Sequence, residues 1–220
     1  MAQATVSRVI DVAREFVAAE AAAVGGLADR IDETFVRVAR LILDTRGKVV
    51  LTGAGTAGYM AHRTAHLLSV SGTPAFYLNP TDGLHGSMGA LRNSDILIAI
   101  SRGGESGEVN ELVRLLQGED VKVVGLTCAA DSTLGRTADI AVVLAETPDA
   151  DPGNLLALGS TLAQGAWLDA LTVVLMRARQ HTWEKVQYTH PGGAVGRLST
   201  LPAAVEPLEI PVLDATDMPR

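Results

Sequence analysis

Five short, mostly apolar runs rich in Val, Ile and Leu fall at residues 48–52, 75–78, 95–100, 122–127 and 140–144, with helical periodicity between them. Strands that are apolar at successive positions are buried on both faces, the mark of a parallel sheet covered by helices, whereas one-sided strands alternate apolar with polar. The pattern predicts an α/β fold, a doubly wound five-stranded parallel sheet. Helices are expected at about 59–70, 105–117, 132–137, 156–179 and 182–188, with a shorter turn near His85. Ahead of the sheet, Val9, Ile10, Ala13, Phe16 and Val17 recur at helical spacing, Gly25-Gly26 interrupts, and Ile31, Phe35, Val38 and Ile42 form a second stripe. These predict an N-terminal helical hairpin over about residues 1–45. A chain of 220 residues suits one core, so residues 1–198 are read as a single domain. From 199 to 220 the periodicity stops and four of the nine prolines cluster (Pro202, Pro207, Pro211, Pro219), which predicts an extended tail.

Charge and composition narrow the partners. Lys and Arg number 18 against 25 Asp and Glu, a net charge of −7, with no basic cluster of the kind that tracks a phosphate backbone. Nucleic acid is therefore not expected as a partner, and an anionic ligand must be held locally. No apolar run approaches the roughly 20 residues of a membrane span, and Met1 opens no basic-then-apolar leader, so no membrane partner is expected either. The lone Cys128 makes neither an internal disulfide nor a multi-thiolate metal site, in keeping with a reducing, cytoplasmic setting and a packing role. His62 and His66 stand four apart on a helix, a metal-ligand spacing, yet that helix offers no carboxylates, so they are read as structural. His181 is read as structural too, at the negative end of the long helix where a cation is favourable.

In an open parallel sheet, ligands bind beyond the carboxyl ends of the strands. The loop Gly53-Ala54-Gly55-Thr56-Ala57-Gly58 leaves the first strand, and its glycines let backbone amides approach an anion at a helix N-terminus. The plainer alternative is a tight strand-to-helix turn. A dinucleotide would need an acid at the end of the second strand, which instead reads Leu78-Asn79-Pro80, with Asp82 only beyond the proline. The loop Ser101-Arg102-Gly103-Gly104-Glu105-Ser106 leaves the third strand with two hydroxyls, exposed amides and an arginine able to pair with an anion. Glu105 and Glu108 lie three apart near the start of the next helix, where simple complementarity to the helix dipole also accounts for them.

Taken in order, residues 53–58, His85-Gly86, residues 101–108 and Ser132-Thr133-Leu134 resemble sugar isomerase (SIS) domains. His190-Pro191-Gly192-Gly193-Ala194-Val195-Gly196-Arg197 is similar to the segment that closes the SIS domain of arabinose-5-phosphate isomerases, and Thr73-Pro74-Ala75-Phe76 and Leu168-Asp169-Ala170-Leu171 also look like that group. The resemblance covers about residues 30–198; the paired CBS domains that often follow in such isomerases are not in this sequence.

The resemblance implies a domain that binds phosphorylated sugars and interconverts aldose and ketose through a cis-enediol, without a cofactor, as a homodimer or homotetramer with shared sites. By it, Glu108, His85 and His190 match active-site residues, Asp149 stands where the family has glutamate, and His190 enters from a neighbouring subunit. Glu108 or His190 would move the proton, His85 would assist ring opening or polarise an oxygen, and Asp149 would orient a partner. Gly55, Thr56, Ala57, Ser101, Arg102, Gly103, Gly104, Glu105 and Ser106 would hold the anion, with Arg63 bordering the site. Two departures stand out: Thr56 and Ala57 replace the family's lysine and serine, and Arg102-Gly103 replaces asparagine and serine. An arginine fork is not a lysine point charge, so the anion's position or identity can differ. A sugar-phosphate-binding domain without catalysis is the alternative that these losses keep open.

Overall fold

The computed structural model describes residues 2–213. Its five strands, β1 (Val49–Gly53), β2 (Ala75–Tyr77), β3 (Ile96–Ile100), β4 (Lys122–Thr127) and β5 (Ile140–Val143), pair in parallel in the order β2-β1-β3-β4-β5. Val49 is in register with Ala75 on one side and Ile96 on the other, and Ile98 with Val124. Lys48 and Asp95, expected as first strand residues, lie just outside β1 and β3 and pair with each other across them. Leu78 and Leu144 still donate to Leu51 and Thr127, so the ladder frays gradually at its far ends.

Among the described residues, eight α-helices surround the sheet: α1 (Ala2–Gly25), α2 (Glu33–Asp44), α3 (Gly55–Val70), α4 (Pro80–Leu84), α5 (Gly107–Gln117), α6 (Thr133–Thr137), α7 (Gly159–Ala178) and α8 (Trp183–Tyr188). Side chains alternate across each strand and divide the core in two. Leu51, Ile98 and Leu126 face α2, α3 and α7, where Trp167 meets Phe35 edge to face at 5.1 Å. Val50, Leu97 and Val123 face α5 and α6. Gly125 is required on that second face, because a Cβ there would lie 2.9 Å from that of Ala138. Fully buried leucines such as Leu168 each contribute about 2 kcal/mol, and truncation to alanine costs roughly 2–5 kcal/mol once the cavity is counted.

The two N-terminal helices are present, and both pack against α7. The Asp32 side chain caps α2 through Thr34 N at 2.9 Å, and α2 sinks into the core. Much of α1 is exposed, with Val6, Val9 and Val17 more than half exposed. The tail through residue 213 has no helix or strand, yet it is strapped back: Trp183 donates to Ala203 O at 2.8 Å, Arg177 pairs with Glu206, and Ile210 is buried. Its last stretch, 214–220, lies outside the described residues. Among the described residues, no helix is long and apolar enough to cross a membrane.

Candidate active site

The chain leaves β1 toward one edge of the sheet and β3 toward the other, so a crevice opens between the loops that follow them. Gly55 adopts φ +56°, and Gly58 lets α3 sit on the strand end, since a Cβ there would be 2.6 Å from Gly53 O. Neither α3 nor α5 has a side-chain cap at its N-terminus, whereas Asp32, Asn79 and Ser132 cap α2, α4 and α6. The first amides of α3, from Gly55, Thr56 and Ala57, and of α5, from Gly107, Glu108 and Val109, are those a helix leaves without internal partners. Two uncapped positive helix ends thus meet at the switch point.

Beside them lies a cleft of about 400 Å³ lined by residues 53–55, Gly58, Tyr59, His62, Tyr77, Asn79, Pro80, Thr81 and Glu108. Tyr77 Oη donates to Gly53 O at 3.2 Å, and its ring stacks on His62 at 5.4 Å. Burial, helped by the Asp82 charge, pushes the Tyr77 phenol above its usual range. The cleft therefore holds a carboxylate, an imidazole and two phenols, groups suited to proton transfer, next to amides suited to an anion.

The 101–106 loop is tightly braced. Ser101 Oγ lies 3.1 Å from Ser106 Oγ, and Gly104, at φ +69°, presses against Ser132. Two residues expected to face an anion engage other groups of the protein. Glu105 accepts Thr133 N at 2.7 Å and Thr133 Oγ1 at 2.8 Å, which fastens α6 and pulls its carboxyl below the ordinary range. Arg102 Nε lies 3.0 Å from Oδ2 of Asp151, and its other nitrogens reach the carbonyl and side chain of Asn154. Its charge is already paired with a fully buried carboxylate.

Asp151 is fully buried and escaped sequence reasoning, because nothing in a short Asp-Pro-Gly turn announces a partner on another strand's loop. Burial pushes its carboxyl up, but hydrogen bonds from Ser160 and Leu158 and the Arg102 charge hold it below the carboxylate range. By accepting from Leu158 N and Ser160 N it also sets the start of α7, three residues later than periodicity predicts.

The remaining expected residues do not line this cleft within their own chain. His85 is exposed at the C-terminal cap of α4, and Asp149 is exposed on the turn Pro148–Ala150. His190 Nδ1 sits 2.6 Å from Val186 O, with its ring edge-on to His66 at 6.4 Å. Only Glu108 and the first loop are brought together directly. His62, read as structural, lines the cleft, as do Tyr59, Tyr77 and Thr81, which carried no motif. Arg63 forms a two-pronged pair with Asp169 of α7 at 2.7 and 2.9 Å. His181 is tucked against Gly72, and burial lowers its pKa, which favours the neutral ring over the helix-terminal cation expected. Among the described residues, no group of three or more His, Cys, Asp or Glu could hold a metal ion.

Comparison with known proteins agrees with this architecture. Residues 41–174, more than half of the chain, match the SIS domain. The chain is 32% identical over 188 residues to arabinose 5-phosphate isomerase KdsD of Pseudomonas aeruginosa, covering 86% of this chain and 58% of that protein. It thus spans little more than half the length of the curated relatives it matches. An Escherichia coli CFT073 protein solved in complex with arabinose 5-phosphate superposes with a TM-score of 0.81 at 25% identity, covering 84% of this chain and 98% of that one. A Listeria monocytogenes protein superposes at 0.80 with 34% identity, over 84% of this chain and 97% of the other. With the sheet order, the crevice and these matches in agreement, the chain belongs to the SIS domain family.

Proposed function

We propose that this protein is an aldose–ketose isomerase for a phosphorylated or otherwise acidic sugar, of the arabinose 5-phosphate isomerase kind. The observation that carries this reading is the place of Glu108, in the wall of a cleft that also holds the first glycine loop. The amides of Gly55, Thr56 and Ala57 and the hydroxyls of Ser101 and Ser106 would hold the anionic tail, with Gly103 and Gly104 shaping the loop. With the sugar open, a base takes the C2 proton, the electrons move to O1 to form a cis-enediolate, and reprotonation at C1, with the O2 proton passing to O1, gives the ketose. Oxidation at C2 balances reduction at C1, so the substrate supplies both halves of the redox change.

Glu108 is suited to this transfer, and His190 would complete the site from a second copy in a homodimer or homotetramer, with His85 and Asp149 of the assembly assisting. Relatives named as isomerases and a relative solved with arabinose 5-phosphate support the reading. The second reading, a sugar-phosphate-binding domain without turnover, is favoured by one observation: Thr56 and Ala57 occupy positions where the family carries lysine and serine.

Deuterium uptake from solvent into C2 of arabinose 5-phosphate and other acidic pentoses and hexoses, followed by NMR, tests both. Uptake supports the isomerase. Binding without uptake supports the second reading, and neither binding nor uptake with any acidic sugar removes both.

A further inference from the structure

The loop after β3 is fastened at one residue by both its side chain and its backbone. The Arg102 guanidinium forms an ion pair with Asp151, Nε lying 3.0 Å from Oδ2 without donating a hydrogen bond to it, while Nη1 donates to Asn154 O at 3.3 Å and Nη2 to the Asn154 side chain. Its carbonyl accepts Cys128 N at 2.8 Å and Thr127 Oγ1 at 3.0 Å at the end of β4. The anchor does not yield: Asp151 is fully buried and also accepts Leu158 N at 2.8 Å, Ser160 N at 3.1 Å and Thr147 Oγ1 at 3.3 Å. Asn154 adopts φ +56°, a conformation asparagine tolerates, and there offers two oxygens to one planar guanidinium. Ser101, a proposed anion contact, is the next residue in the chain.

We infer that Arg102 is a positioning residue for the anion end of the site, tying the 101–106 loop to Asp151 and Asn154 so that its hydroxyls and the first amides of α5 are arranged before a sugar phosphate arrives. This rests on the sugar-phosphate reading of the site. Donors fixed beforehand need no ordering when the ligand binds, and a loop displaced by about 1 Å can lose on the order of 100-fold. A lysine at this position would keep the charge toward Asp151 but lose the fork that donates twice to Asn154.

The test uses the full chain as wild type, Arg102→Gln, Arg102→Lys and Asn154→Gly, the last keeping the left-handed backbone while removing one acceptor. Calorimetry gives Kd for arabinose 5-phosphate, for inorganic phosphate and for unphosphorylated arabinose, and deuterium uptake gives KM and kcat. Both Arg102 variants should weaken the two phosphate ligands by about ten-fold or more and raise KM further than they lower kcat, with unphosphorylated arabinose unaffected and a smaller loss in Asn154→Gly. Unchanged phosphate affinity in folded variants would make Arg102 merely structural and overturn the inference. Full affinity in Arg102→Lys alone would assign the effect to charge and overturn it too. Should the Arg102 variants fail to fold, unchanged affinity in Asn154→Gly overturns it. A wild-type protein that binds neither phosphate ligand overturns the underlying reading and this inference with it.

Discussion

Nζ of Lys48 lies 2.6 Å from Oδ2 of Asp95, tying the starts of β1 and β3 together at the end of the sheet opposite the cleft. The same carboxylate accepts Lys48 N at 2.9 Å and Arg92 N at 2.8 Å, and it is almost wholly buried. Asp95→Ala leaves two backbone amides and an ammonium without their acceptor, which should cost about 2–4 kcal/mol and lower Tm by roughly 5–15 °C. Because the pair is remote from the cleft, kcat and KM measured on the folded variant should match wild type. Thermal denaturation and deuterium uptake, run side by side, check both halves.

Gly104 should tolerate no side chain. A Cβ there would lie 1.9 Å from Ser132 Oγ, which cannot move aside because it donates to Ala129 O at 2.6 Å and caps Gly135 N at 3.1 Å. With the cost of φ +69° for an L-residue added, Gly104→Ala should lose about 2–4 kcal/mol. Gly103, one residue earlier, has open space around its Cβ direction, and Gly103→Ala should stay within about 0.5 kcal/mol of wild type. Urea denaturation of the two variants decides whether the brace is as tight as the geometry states.

Glu108→Gln and His190→Asn should each lower kcat by about 100- to 10,000-fold. If the site joins Glu108 of one copy to His190 of another, mixing the two inactive variants should restore about a quarter of wild-type activity, since half the random dimers are hybrids and each has one intact site. No recovery after subunit exchange would show that both residues act within one chain.

Stability should fall as pH drops through about 6.5, and His181 is the cause. Burial, together with the nearby Lys185 charge, lowers its pKa, partly offset by a hydrogen bond to the Val70 backbone. Its Nε2 is buried without a partner. The unfolded chain binds a proton there before the folded one does, so the contribution is present above the unfolded value and lost below it. Tm recorded from pH 8 to pH 5 should decline in wild type and flatten in His181→Gln. Asp95, Asp139 and Asp151, all held below the usual carboxylate range, add a separate loss only below about pH 4.

The sheet was legible because burial on both faces forces Val, Ile and Leu into successive positions, as in Ile96–Ile100, and turn signals bound these runs at lengths too short for a buried helix. Boundaries were less legible. α3 begins at Gly55 rather than near Tyr59, because glycines that read as loop also permit the first turn of a helix packed on its strand. The start of α7 is set by Asp151, a residue with no helical pattern of its own.

Amino-acid order alone determined the parallel α/β architecture, the two loops at the switch point and Glu108 beside them, since these depend on period, turn chemistry and strand-end position, all local properties. Tertiary structure decided what the charges do. Arg102 turns to Asp151 and Glu105 to Thr133, His62 enters the cleft, and His85, Asp149 and His190 stand apart from it within one chain. Such pairings join residues far apart in sequence, and whether a charge faces solvent, a ligand or a buried partner is settled by desolvation and geometry that no spacing rule contains.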